Sequence, residues 1–281
     1  MFRRGARVRP VRTAGVSAAL TLALSDPLHN TLAGARLREV GHAGNAAQEF
    51  LLAGDEHRPE GLLWNGVNVS PLSATAQALD DFGRYLAPRT RRASSVVGDR
   101  GAVEALWQHL AMRWGAEVRE YRWSQPLLLA DGAGTALPPA GLRAARPGEE
   151  DAVFPAAVAM FREEVGVDPL AGDAGRSYRR RVTELIRAGR TYIVTRERQV
   201  VFKADVGALF GGAAQIHGVW VDPARRGAGL GRAAMAELIG HVRHDHAEQV
   251  CLYVNDFNEP ARRAYAAAGF RQVGELSTIL F

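Results

Sequence analysis

The chain has 281 residues, 47% of them hydrophobic, and a formal net charge of +5. That length holds one large domain or two of about 140 residues, and no apolar run approaches the ~18 residues of a membrane span. The single cysteine, Cys251, excludes an intrachain disulfide and a cysteine-built zinc site. The positive charge is arginine spread along the chain, with no basic tail and no nucleic-acid motif. Lys203 is the only lysine.

Arg3 and Arg4 ahead of residues 16–25 have the outline of a short secretory signal. Against that, residues 7–12 alternate as a strand and Thr13 can cap a helix over 13–24, so the chain is read as cytoplasmic. Further strands are expected at 49–53, 62–69, 94–97 and within 117–129, and helices at 31–40, 74–86 and 102–114. In the last of these, Val103, Leu106, Trp107 and Leu110 recur at the i, i+3, i+4, i+7 spacing of a buried face. Residues 131–141 are small and broken by proline, which reads as a linker. It divides the chain into domains over 1–135 and 136–281.

The second half opens with a strand over 142–145. Acids at 149–151 then mark a helix start at the positive end of its dipole, and Val153, Ala157, Met160, Phe161 and Val165 give that helix an apolar face. A loop over 168–173 leads to a second helix with Tyr178, Val182, Leu185 and Ile186 on one side. Residues 191–195 and 200–206 read as a hairpin about a turn at 196–199. After Gly211-Gly212 comes an apolar, β-branched run from Ile216 to Val221. Asp222-Pro223 ends it, a glycine-rich turn follows, and a helix is expected over 230–242. A buried strand over 249–254 holds Cys251 as a packing residue. A helix over 260–268 stops at Gly269, and 273–281 supply a last strand.

Strand, glycine turn and helix start together make an anion site. Glycine lets the backbone approach a ligand, and the unpaired N–H groups at the helix start point at it. The ligand should carry phosphate. The turn is not G-x-x-x-x-G-K-S/T. Nor is it G-x-G-x-x-G, because Gly227, Gly229 and Gly231 are spaced by two throughout. It does match Q/R-x-x-G-x-G/A at Arg226, Gly229 and Gly231, behind V-x-V-x-P at Val219, Val221 and Pro223. The first half has no such turn. There Gly98 and Gly101 bracket Asp99, whose charge would oppose a phosphate.

The matching turn resembles the coenzyme A pyrophosphate loop of the GNAT (GCN5-related N-acetyltransferase) family. A second motif, with Asn258, Ala261, Ala264, Tyr265, Gly269 and Phe270, is similar to the family's N-x-x-A-x-x-L/F-Y-x-x-x-G-F. The element order from 141 to 281 is that of the family. Residues 161–166 and 201–204, with the N-terminal half, resemble the actinobacterial GNAT proteins that carry a DUF4081 region. The resemblance implies an α/β GNAT acyl-CoA N-acyltransferase fold, a mixed sheet flanked by helices, in tandem with a degenerate GNAT-like N-terminal half. It implies acetyl-CoA as co-substrate, with no metal, nucleic acid or membrane, in a monomer or homodimer.

By the same resemblance an amine of a small molecule or peptide attacks acetyl-CoA directly. Arg226, Gly227, Ala228, Gly229, Leu230, Gly231 and Arg232 would bind pyrophosphate, Val219, Trp220 and Val221 pantetheine and the thioester, and Asn258 coenzyme A. Tyr265 would protonate the leaving thiolate; a packed aromatic is the alternative. The family's usual carboxylate base falls at Gln215, which cannot take a proton at neutral pH. Glu163 and Glu164 at a helix end, and His217 two residues beyond Gln215 on the same strand face, are the candidate bases. Asp205 could act through water. Lys203 is read as a surface or hairpin residue, a site role being the alternative. The missing glutamate leaves room for a non-catalytic acyl-CoA-binding regulatory module. Protein lysine or N-terminal acetylation is a third reading.

Overall fold

A computed structural model describes residues 7–132 and 138–281. The chain forms two compact units. The first takes in residues up to Leu127 together with Tyr253–Phe257 and Gln272–Phe281; the second takes in Leu128–Leu252 and Asn258–Arg271.

In the first unit the elements run β1 (Val8–Pro10), α1 (Val16–Ala23), α2 (Thr31–His42), α3 (Ala46–Glu49), β2 (Phe50–Gly54), β3 (Pro59–Asn65), β4 (Asn68–Leu72), α4 (Ala76–Leu86), β5 (Ser95–Asp99), α5 (Arg100–Trp114) and β6 (Glu120–Ala130). β1 to β4 pair antiparallel in sequence order, and β4 pairs parallel with β5. The chain's last strand, Phe270–Leu280, lies antiparallel beside β5. Val103, Leu106, Trp107 and Leu110 of α5 are buried as their spacing predicts. They pack with Phe82, Leu86, Val96 and Ile279 in one core.

The expected strand over 62–69 is instead two strands of a hairpin. The chain bends at Gly66-Val67, where Gly66 N–H donates to the Asn68 carbonyl, so that Asn65 faces Val69. The expected linker over 131–141 lies partly outside the described residues, at 133–137.

The second unit continues with β7 (Arg143–Ala144), α6 (Glu150–Val165), α7 (Arg176–Arg187), β8 (Thr191–Arg196), β9 (Gln199–Phe210), β10 (Ala213–Val221), α8 (Leu230–Asp245), β11 (Gln249–Tyr253) and α9 (Glu259–Ala267); β12 is the last strand already given, which falls mostly in the first unit. The strands of the second unit lie in the order β11-β10-β9-β8-β7. All pairs are antiparallel except β10 with β11. β9 and β10 are longer than the sequence suggests, because Gly211 and Gly212, both at positive φ, close a two-residue hairpin turn. That turn lets the ladder run up to Phe210 and restart at Ala213.

The glutamate at 237, on α8, accepts from the backbone N–H of Leu142 at 2.7 Å and from that of Ala140, which anchors the approach to β7. Helices α6 and α7 cover the sheet through Val153, Ala157, Val182 and Ile186 against Ile193 and Val200. Cys251 is fully buried in β11.

Candidate active site

β10 organises the site. Its first three residues pair with β11, from Ala213 opposite Gln249 to Gln215 opposite Cys251, and the pairing stops there. From Ile216 to Val221 the strand continues against β9 alone, with register shifts after Gln215 and after His217. Gly218 and Val219 form the second irregularity. Gly218 sits at φ +56, and a Cβ there would meet Met160 Cε at 2.9 Å. Only glycine combines that backbone with that approach. The result is a gap between β10 and β11 lined by backbone on the β10 side.

The turn follows directly. Asp222 caps a short 3-10 turn by accepting from Ala224 N–H at 2.9 Å. Gly227 and Gly229 have φ of +78 and +82. Gly229 is the N-cap of α8 and has no side chain to cap it. As a result no backbone N–H from Gly227 to Arg232 has a hydrogen-bond partner among the described residues. A cradle of free N–H groups at a helix start, with space over Gly227, fits a pyrophosphate. The Arg232 guanidinium has no partner either and folds toward Gly229, whose missing Cβ would lie 3.1 Å from Arg232 Nε.

Below the bulge lies a buried polar cluster. Lys203, 1% exposed, forms an ion pair with Asp205, 7% exposed. Asp205 also accepts from Thr191 Oγ1 at 2.8 Å. Lys203 is therefore neither a surface residue nor a hairpin-turn residue; it faces inward from the middle of β9. Asp205 is likewise committed to two donors.

His217, opposite Asp205 in the ladder, contacts Gln215 Oε1 through Nε2 at 2.8 Å. A carbonyl oxygen accepts, so Nε2 carries the proton of the neutral ring. Burial lowers the His217 pKa to about 4 against the opposing pull of Asp205, and Arg181 and Lys203 add to the lowering. The imidazole is thus uncharged at neutral pH, and so weak a base has little drive to deprotonate an ammonium. Its ring lies across Gly207, where a Cβ would sit 2.2 Å from Nδ1. Gly207→Ala should therefore lower stability by about 1–3 kcal/mol and break the Gln215 contact. Denaturant midpoints and the His217 ring resonances check this.

The two glutamates at the end of α6 point to different places. Glu163 accepts from Trp220 Nε1 at 3.2 Å and from Arg226 Nη2 at 2.7 Å, which ties α6 to β10 and to the turn. Arg226 also donates through Nε to the Val221 carbonyl at 3.0 Å. Both partners of this ion pair are about half exposed, so the pair is weak, about 0–1 kcal/mol. Glu164 instead acts on the aromatic hydroxyls. Burial first, and the Glu164 carboxylate second, push the Tyr265 hydroxyl above the usual tyrosine value. Burial, Asp205 and Glu164 do the same to Tyr178, against Arg181. Tyr265 is 7% exposed, packs against Phe270, and its hydroxyl has no hydrogen-bond partner among the described residues.

A family model for DUF4081, a domain of unknown function, matches residues 49–153, and the model for the acetyltransferase (GNAT) family matches residues 182–270. The second span contains the β10 gap, the turn and Tyr265. The two matches relate the chain to the GNAT proteins that carry a DUF4081 region, the GNAT match itself covering about a third of its length. A 56-residue segment is 43% identical to the mycothiol acetyltransferase of Thermobispora bispora, covering 20% of this chain and 19% of that protein. The matched segment thus spans about a fifth of that relative's length. Among solved structures, a GNAT-family acetyltransferase from Colwellia psychrerythraea superposes with a TM-score of 0.61 at 11% identity over 98% of this chain and 99% of its own. A GCN5-related N-acetyltransferase from Sphaerobacter thermophilus does so with a TM-score of 0.60 at 17% identity, over 97% and 94%. At those identities the likeness is one of fold.

Within the GNAT-like segment, Asn258 has a local duty that motif reading overlooked. Its side-chain oxygen accepts from Ala261 N–H at 3.2 Å and caps α9, which explains the N-x-x-A spacing. Its amide N–H groups remain for a ligand. The Lys203–Asp205 pair was the other omission. The one available signal was a lysine in a chain that otherwise uses arginine. Among the described residues no three His, Cys, Asp or Glu side chains converge as a metal would need, and no helix is long and apolar enough to cross a membrane.

Proposed function

We propose that the second unit transfers an acetyl group from acetyl-CoA to a primary amine of a small molecule or peptide by direct attack. The observation that carries this reading is the continuity of the β10 gap with the row of free N–H groups from Gly227 to Arg232. An extended arm ending in a pyrophosphate matches both. Pantetheine runs along Val219–Val221, and the pyrophosphate takes the turn, with Arg232 and a guanidinium released from Glu163 by Arg226 adding charge. The amine nitrogen bonds to the thioester carbon as the C–S bond breaks. Glu164 takes the ammonium proton, and Tyr265 gives its hydroxyl proton to the departing thiolate. Gln215 and His217 supply fixed, uncharged polarity on the acceptor side.

The first unit we read as a degenerate GNAT-like half, with the domain division placed after residue 135. In support, it has the same succession of strand, helices, antiparallel strands, helix and parallel strand. Its turn after β4 has no glycine, and Thr75 caps α4 by accepting from Ala78 N–H, so that helix start offers no open cradle.

Thiol release from acetyl-CoA, followed with a panel of primary amines that includes an acceptor related to mycothiol, tests the reading. Amine-dependent turnover is the expected result. Gln215 in place of a carboxylate favours one other reading, a non-catalytic acyl-CoA-binding regulatory module. Tight binding of acetyl-CoA without turnover on any amine would select it.

A further inference from the structure

The chain's one lysine is also the most deeply buried cation among the described residues. Lys203 stands on β9 opposite Trp220, beside the bulge at Gly218 and Val219. A Cβ on Gly218 would lie 3.4 Å from Lys203 Nζ and 3.4 Å from Asp205 Oδ2, so the pair sits directly beneath the bulged backbone. A slender ammonium stem suits that place better than a planar guanidinium, wider and fixed in its fork. Asp205 is the ladder partner of His217. A buried carboxylate without a countercharge is costly, and it is relieved by the nearest group able to take a proton. His217, its partner across the ladder, is such a group. Among the charges facing its ring are Asp205 and Lys203 from β9 and Arg181 from α7, with the neutral Gln215 on its own strand.

We propose that Lys203 is a positioning residue: by neutralising Asp205 beneath the bulge, it keeps His217 uncharged on the acceptor side of β10. Its consequence for catalysis rests on the acyl-transfer reading above. An imidazolium there would repel the ammonium that must approach the thioester, so a neutral ring keeps the acceptor path open. Lysine suits this position because it supplies charge and slenderness together.

The test is a pH titration of the His217 ring by NMR in the full chain, with its resonance assigned through His217→Gln. In Lys203→Met the midpoint should move up by about one pH unit or more. In the double variant Lys203→Met/Asp205→Asn, which leaves no uncompensated charge, it should stay at or below that of the unmodified chain. An unchanged midpoint in folded Lys203→Met overturns the proposal, and so does a rise that persists in the double variant. Should Lys203→Met fail to fold, Asp205→Asn decides the matter: its midpoint should fall, and a rise overturns the proposal. In amine turnover, Lys203→Met should raise KM for the amine at pH values below the new midpoint while leaving acetyl-CoA affinity unchanged. Because the titration needs no turnover, failure of this inference and failure of the acetyltransferase reading give separate results.

Discussion

Gly229→Asp should abolish measurable acetyl-CoA binding while the fold survives. Gly229 is the N-cap of α8 at φ +82, and the N–H groups behind it are free. Aspartate tolerates this backbone region better than most residues and is a favoured helix cap, so capping offsets part of the strain. The same carboxylate would fill the cradle with negative charge where the pyrophosphate must sit. It would also pair with Arg232, whose guanidinium lies within 3.5 Å of the position the new Cβ takes. A loss of at least about 100-fold in affinity, about 2.7 kcal/mol, is expected. Calorimetric titration with acetyl-CoA, beside a thermal melt, measures both halves of the claim. Retained affinity in a folded variant would sink the assignment of the turn. Gly229→Ala adds the strain without the charge and should weaken binding far less.

Tyr265→Phe should lower kcat by about 10²–10⁴-fold, the range of a general acid, with acetyl-CoA affinity and stability close to those of the parent. The hydroxyl has no hydrogen-bond partner to lose, so its removal leaves nothing unsatisfied. Because burial and Glu164 hold its pKa above the ordinary value, Tyr265 stays protonated through neutral pH and well into the alkaline range. The alkaline side of the kcat profile should therefore show no tyrosine limb. Glu164→Gln should lower turnover as well and remove the acidic limb, whereas Glu163→Gln should keep that limb. Stopped-flow thiol release across pH separates these outcomes. Full turnover in Tyr265→Phe would reduce Tyr265 to a packing residue beside Phe270.

The contrast between the two glutamates shows what a motif hides. Neighbours in sequence on a helix point about 100° apart. One of them meets Trp220 and Arg226, and the other lies in the field of Tyr265. The primary structure offers both as equal bases, because it holds no record of which strand each will face. The 62–69 segment fails for a related reason. Its apolar run reads as one strand, and the bend at Gly66-Val67 turns it only because β3 and β4 can then share a ladder.

What the sequence determined alone is local. Glycines at 227, 229 and 231 behind Pro223 specify a turn with free N–H groups whatever surrounds it, because φ at those positions and helix geometry are properties of the nearby chain. The face of Val103, Leu106, Trp107 and Leu110 is local in the same sense, as is the capping of α9 by Asn258. Only the tertiary structure decided where β10 leaves β11, and that Lys203 and Asp205 are buried under Gly218. It also decided that His217 is neutral. Each of these depends on residues from separate strands and helices meeting at a few ångströms, and on the dielectric that such packing creates. A charge state is set by the sum of those neighbours, which no single stretch of sequence contains.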